Sequence, residues 1–301
     1  MNSVEKAFFD RIAKAYPALS AKKKRVADFI LDDYKKISLM TAKDIALQCD
    51  VSEPTIIRFA VSLGFSGYLE FARHVKDMVQ IKLSNVDMLL DATKRSDETT
   101  TLETYCNNAI KNLTNLMETV SAEELQTMAN TLYHAQNVYV VGYRASAALA
   151  YYFGYFLNRI RENVQIDTTL SWEIMDSIAH NTQKSVVFVI TFRRYSRKII
   201  EFLNYARKYK IKIVSITDSL IAPVINISDQ YIVMDLNSVS FVDPIAHVIS
   251  YLGALIHEIT FINTEKTIKL LKTFDEHVAI GNEFLLDGSA PIWMPISENS
   301  K

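Results

Sequence analysis

Through the first eighty positions, apolar residues recur at helical spacing. Past residue 136 the pattern changes to short unbroken apolar runs alternating with helical stretches. The early periodicity predicts helices over Val4–Ala15, over Lys22–Tyr34 behind a Ser20 cap, and over Tyr68–Val79 after the turn Gly64-Phe65-Ser66-Gly67. A polar cluster at Lys94–Thr101 reads as a loop within a changed stretch, residues 80–104. Helices are then expected over Leu102–Val120 and, behind Ser121, over Ala122–His134. The apolar runs predict strands at Asn137–Val141, Val164–Ile166, Ser185–Ile190, Lys212–Ile216 and Gln230–Met234. Helices are expected at Ser146–Arg159, Arg197–Tyr209 and Pro244–Ile262, with a last one within 263–286 before a polar tail. Strands apolar throughout, alternating with helices, imply a parallel sheet covered on both faces, with right-handed crossovers. The expected fold is an all-α N-terminal domain with a helix-turn-helix, followed by an α/β domain with a parallel sheet flanked by helices. The boundaries are 1–80, a linker 81–105, the sheet domain 106–262, and a C-terminal helix and tail 263–301.

Residues 41–64, TAKDIALQCDVSEPTIIRFAVSLG, read as two short helices joined by a tight turn. Thr41 and Asp44 have the spacing of a capping box. Ala46 is small enough for a second helix to cross closely. Asp50 sits where the chain turns sharply, near positive φ, and Val51 plugs the gap between the helices. Ser52 is the expected cap of the second helix, Pro54 falls in its first turn, and Gly64 ends it. In a helix-turn-helix the start of the second helix enters the major groove. The positions expected there are Ser52, Glu53, Thr55 and Arg58, with Thr41 at the start of the first helix. Arg58 is the side chain best suited to bidentate contact with guanine, and Ser52 and Thr55 suit phosphate or base edges. An ordinary helical hairpin in a packing role is the alternative reading.

Charge supports the first reading. Residues 1–80 hold 13 basic and 10 acidic residues, net +3, and residues 81–301 hold 20 and 24, net −4. The run Lys22-Lys23-Lys24-Arg25 is either a phosphate contact or a solvated face. At 301 residues, 49% apolar and 22% charged, the chain is long enough for two cored domains. Two cysteines, Cys49 and Cys106, give no disulfide framework and suit a reducing cytoplasm. No signal peptide is expected, and Ile245–Ile262, interrupted by His247, Ser250, His257 and Glu258, reads as a buried helix and not a membrane span. The six histidines show no metal-ligand spacing, and no cofactor is expected.

In a parallel sheet, ligands bind beyond the carboxyl ends of the strands. The residues there are Gly142-Tyr143-Arg144-Ala145-Ser146, Thr191-Phe192-Arg193-Arg194-Tyr195-Ser196, Thr217-Asp218-Ser219, and Asn237 to Phe241. Hydroxyls and arginines near helix N-termini make an anion site. A phosphorylated small molecule is the expected ligand, with Arg144, Ser146, Thr191, Arg193, Arg194, Ser196, Thr217 and Ser219 as candidates. Helix caps without a ligand are the alternative.

These residues carry a resemblance. LSAKKKRVADFILDDY followed by MTAKDIALQCDVSEPTIIRFAVSLGFSGYLEFA resembles the N-terminal domain of RpiR-type bacterial transcription regulators. VYVVGYRASAALA, VVFVITFRRYSRKIIEFLNYARKYKIKIVSITDS and PIAHVISYLGALI are similar to the sugar isomerase (SIS) domain of that family, so the likeness covers about residues 1–262. It implies a cytoplasmic regulator of a double-stranded DNA operator, working as a homodimer or homotetramer with no membrane partner. Its SIS domain would sense a phosphorylated sugar or related metabolite. Ser146 matches the serine that commonly contacts phosphate, and Thr217 and Ser219 sit in the loop after the strand at 212–216. Arg144 stands where a glycine is usual. The loop 191–196 resembles a subgroup with an FRRYS-like sequence. Arg144, Arg193 and Arg194 are expected to serve either a more acidic ligand than a typical hexose phosphate or the dimer interface. The rival is a sugar-phosphate isomerase with an accessory DNA-binding head. It requires a base such as His247, His257 or Glu258, and the absence of an evident glutamate base among the arginine-rich loops favours a non-enzyme. In the regulator, the ligand's effect on the heads would pass through the linker near 80–104.

Overall fold

A computed structural model describes residues 3–38, 40–82, 85–94, 100–182 and 184–281. By compactness the chain divides into two units. The first holds residues 1–119 with 191–203 and 215–248, and the second holds 120–190 with 204–214 and 249–301.

The first unit opens with five helices: α1 Ser3–Ala15, α2 Ala21–Ile37, α3 Ala42–Gln48, α4 Glu53–Ser62 and α5 Tyr68–Lys82. Their apolar stripes meet in one core that includes Phe8, Ile12, Val26, Ile30, Ile45, Ile56, Phe59, Phe71 and Val75. Phe71 on α5 anchors it, edge-on to Phe59 at 6.1 Å and to Phe65 at 5.6 Å. The sharp turn between α3 and α4 is formed by Asp50 at φ 48°, and Val51 packs against the core. Asp50 is held from outside: Arg25 donates to its carbonyl at 2.8 Å and to its carboxylate at 3.2 Å. One member of the basic run thus supports the turn. Thr41 accepts from the backbone of Asp44 at 3.2 Å, and the Asp44 carboxylate accepts the Thr41 N–H at 2.9 Å, a complete capping box. Thr41→Ala is expected to cost about 1 kcal/mol, read as a lower urea midpoint, because it strips the cap from a helix of only seven residues.

The stretch expected as linker carries a helix, α6 Asn85–Lys94, and residues 95–99 of the polar cluster lie outside the described residues. α7 runs Thr101–Thr119. The second unit begins with α8 Ala122–His134, behind a capping box of Ser121 and Glu124. Strands β1 Asn137–Gly142, β2 Val164–Asp167 and β3 Ser185–Ile190 follow, with α9 Ser146–Ile160 and α10 Trp172–His180 between them. α10 was not expected from the sequence; Ser171 caps it, and the Asp167 carboxylate gathers the N–H groups of Thr169, Leu170 and Ser171 ahead of it. α11 Arg197–Lys208, β4 Lys212–Thr217, β5 Gln230–Val233, α12 Ala246–Ile262 and α13 Thr264–Gly281 complete the described chain. Residues 282–286 of the expected last helix, and the tail, lie outside it.

The sheet is parallel, in the order β2-β1-β3-β4-β5. Val138 stands opposite Val164 on one side and Val186 on the other. Every residue of β3 is buried, as continuous apolar strands require when helices cover both faces. α9 lies on β1 and β2: Phe153 packs on Phe188 at 4.6 Å, and Gly154 lets the helix approach Ile166 so closely that a Cβ there would collide with it.

Candidate functional site

The exposed start of α4 is the first candidate. Ser52, Glu53 and Arg58 are exposed there, with no ion pair at Arg58 among the described residues. Two expectations are corrected. Thr55 is buried, 6% exposed, because its hydroxyl is 2.9 Å from that of Ser52 and its side chain faces the core. Ser52 occupies the cap position, yet its hydroxyl makes no cap bond and spends its contact on Thr55. The exposed polar face at the start of α4 is therefore narrower than periodicity predicts. Thr41 is exposed, with its hydroxyl bound to Asp44.

In the second unit, β1 ends at Gly142 beside Ile190 of β3. Gly142 is required because a Cβ would meet the Ser146 carbonyl group and lie 2.7 Å from the Ala150 Cβ. That close packing lets α9 start at Ser146 directly above the strand. Ser146 is 8% exposed and its hydroxyl has no partner among the described residues. Arg144, two residues before, is exposed and held at φ 59°, a left-handed backbone that an L-residue adopts at a cost. A helix N-terminus with a spare hydroxyl and a neighbouring guanidinium suits an anion.

In the first unit, the loop after β3 separates its two arginines. Arg194 is exposed, at φ 60°. Arg193 is buried: it donates to the Ser238 hydroxyl at 2.6 Å and lies 3.5 Å from Asp243 and 4.0 Å from Asp218. Tyr195 donates to Asp218 at 2.8 Å. Burial pushes the Asp218 carboxyl up, and the Arg193 charge and the Tyr195 hydrogen bond only partly offset it. Thr191, Thr217 and Ser219 are buried. Thr217 is the last residue of β4 and not a loop residue, and the Ser219 hydroxyl donates to Asp77 of α5. Arg193, Thr217 and Ser219 are thus engaged inside the unit, while Arg194 and Ser196 keep solvent access.

A helix-turn-helix domain of the rpiR family matches residues 7–82, and a SIS domain matches residues 131–256. The chain is an rpiR-family helix-turn-helix regulator with a SIS domain. An HTH-type transcriptional regulator of Haemophilus influenzae is 24% identical over 228 residues, spanning 74% of this chain and 78% of that protein. The NanR protein of Vibrio vulnificus, solved with ManNAc-6P, shares the fold with a TM-score of 0.55, at 18% identity over 90% of this chain and 97% of that one. The sugar isomerase domain of an RpiR transcription factor from Sphaerobacter thermophilus gives a TM-score of 0.56, at 22% identity over 59% of this chain and 99% of that one.

The rpiR-family chain also holds groups that sequence reasoning passed over. Asp77 is 8% exposed, and burial pushes its carboxyl up to about 7, with Asp235 and Asp218 adding to the rise. The visible sign is a carboxylate set beside the apolar stripe Phe71, Val75, Met78. Of the candidate bases, His247 is buried at 1% exposure with neither ring nitrogen hydrogen-bonded among the described residues. Its pKa is lowered by burial, partly opposed by Asp235, so the imidazole is neutral at pH 7. His257 is exposed and stands edge-on to Phe261 at 4.5 Å, and Glu258 is half-buried. Among the described residues no helix is long and apolar enough to cross a membrane.

Proposed function

We propose that this regulator binds an operator through α4 and senses a phosphorylated sugar or sugar derivative in its SIS domain, with no turnover of the ligand. The observation that carries the sensing half is the first turn of α9, where the unpartnered Ser146 hydroxyl and exposed Arg144 stand at a helix N-terminus and suit a phosphate. ManNAc-6P, held by the fold-related NanR, belongs to this chemical class. Arg194 and Ser196 of the first unit are solvent-accessible and are candidates for ligand contact in their own right. A single head covers one half-site, so the active species is a homodimer or homotetramer on a palindrome-like operator. The exposed tyrosines 151, 152 and 155 of α9 support a subunit contact. A coupling of about 1–3 kcal/mol between the two sites would change DNA affinity about 5–150-fold.

The test is binding of the full-length protein to its own upstream DNA across salt, with and without a panel of sugar 6-phosphates that includes N-acetylmannosamine 6-phosphate. Salt-sensitive specific binding altered by one compound supports the reading. Specific binding that no compound alters removes the sensing half. Turnover of a compound, with no specific DNA binding, favours the isomerase reading. Within the same assay, Arg58→Ala is expected to weaken operator binding by about 1–3 kcal/mol and random DNA far less. Equal losses on both would make Arg58 a phosphate contact.

A further inference from the structure

The turn after β4 faces two ways, all within the first unit. Asp218 looks toward the arginine loop: it takes the Tyr195 hydroxyl and faces Arg193, which also holds Ser238 and Asp243. The next residue, Ser219, looks toward the helical head. It donates to Asp77 of α5 and accepts the Ile221 N–H at 3.2 Å, and Ile221 packs against the head core. Beside Asp77, Lys76 donates to Asn237 at 2.7 Å and lies 3.9 Å from Asp235. Asn112 of α7 donates to the Leu236 carbonyl at 3.1 Å. α5 in turn supports the DNA-reading helix through Phe71 on Phe59.

We propose that the Asp218–Ile221 turn is the lever that couples the 191–196 loop to α5, and through α5 to α4. The signal then travels through side-chain contacts and not only along residues 80–104. The physical reason is the buried ion pair. Asp218 is 8% exposed, and without Arg193 its carboxylate is an uncompensated charge that must protonate or move. Ser219 shares its backbone, so the Asp77 contact moves with it. A transmitting element needs two discrete arrangements, and in this lever they are the made and the broken Arg193–Asp218 pair. That a sugar phosphate is what displaces the loop rests on the reading under "Proposed function"; the lever itself does not.

Amide hydrogen exchange on the full-length protein tests it. Arg193→Gln is expected to speed exchange about tenfold both in residues 215–222 and in α5, while β1 keeps its wild-type rates. Faster exchange in 215–222 with α5 unchanged overturns the lever. If Arg193→Gln unfolds the chain, Ser219→Ala decides, since it leaves the Arg193–Asp218 pair in place. It is expected to speed exchange in α5 about fivefold, and wild-type rates in α5 overturn the proposal. Fructose 6-phosphate and N-acetylmannosamine 6-phosphate are then added to the wild type. A compound that protects residues 142–150 but leaves 215–222 and α5 unchanged overturns the lever and spares the sensing reading. Failure of every compound to alter exchange counts against sensing alone, and the lever is judged on the two variants.

Discussion

Gly142→Ala is expected to destabilise the SIS domain by about 3 kcal/mol, at the upper end of overpacking costs, and to abolish the proposed sugar-phosphate binding. The added Cβ would collide with the Ser146 carbonyl oxygen and lie 2.9 Å from its carbon and 2.7 Å from the Ala150 Cβ. A flexible side chain can turn aside; the backbone of a helix's first turn cannot. Relief requires α9 to lift from β1, which separates Phe153 from Phe188 and moves the Ser146 hydroxyl off the strand end. Urea unfolding reads the first effect, and titration calorimetry with the compound active in the DNA assay reads the second. Adding Ala150→Gly is expected to recover only part of the loss, because the Ser146 backbone stays in the way. A Gly142→Ala protein within about 0.5 kcal/mol of wild type would show that the turn has slack.

What the sequence displays and what it hides divide along the range of the interaction. Helix α8 and strand β3 run over the residues expected, because a Ser121–Glu124 cap and an unbroken apolar run are local signals. The positive φ at Asp50 and the Thr41–Asp44 box are local in the same way. α10 is also local, nine residues long behind the legible cap Ser171, and it is absent from the expected elements. The misplaced site residues are another matter. Thr55 is expected to be exposed because it stands outside the apolar set of α4; its hydroxyl instead meets that of Ser52 and its side chain is buried. Arg193 looks like a ligand arginine beside Arg194, and only the fold brings Asp218, Ser238 and Asp243 around it. Ser219 meets Asp77 across 142 residues of chain. No window of sequence contains that pair.

The burial of Asp77, which the Ser219 hydrogen bond only partly offsets, makes the regulator's stability depend on pH in a direction opposite to the common carboxylate case. Asp77 has an ordinary value of 3.8, raised to about 7 in the folded chain, chiefly by burial. A raised carboxyl contributes stability that is fully present below the unfolded value and is lost as pH climbs through the folded one. Between pH about 4 and about 7, folding therefore becomes less favourable on account of this group, at about 1.4 kcal/mol per pKa unit and with a ceiling of about 4 kcal/mol. Lys76 lowers the carboxyl, while Asp218 and Asp235 raise it, so the local charges do not rescue the ionised form. Asp77→Asn keeps an oxygen for the Ser219 hydroxyl and cannot ionise. Its stability relative to wild type is expected to rise with pH across that window and to level off above about pH 8. Paired urea titrations at pH 5, 6, 7 and 8 read it. A constant difference between the two proteins would mean that Asp77 is hydrated and ordinary. A difference that falls with pH would mean that the carboxylate is stabilised in the folded state by Lys76, and the Asp77–Ser219 contact would then be an anionic one at neutral pH.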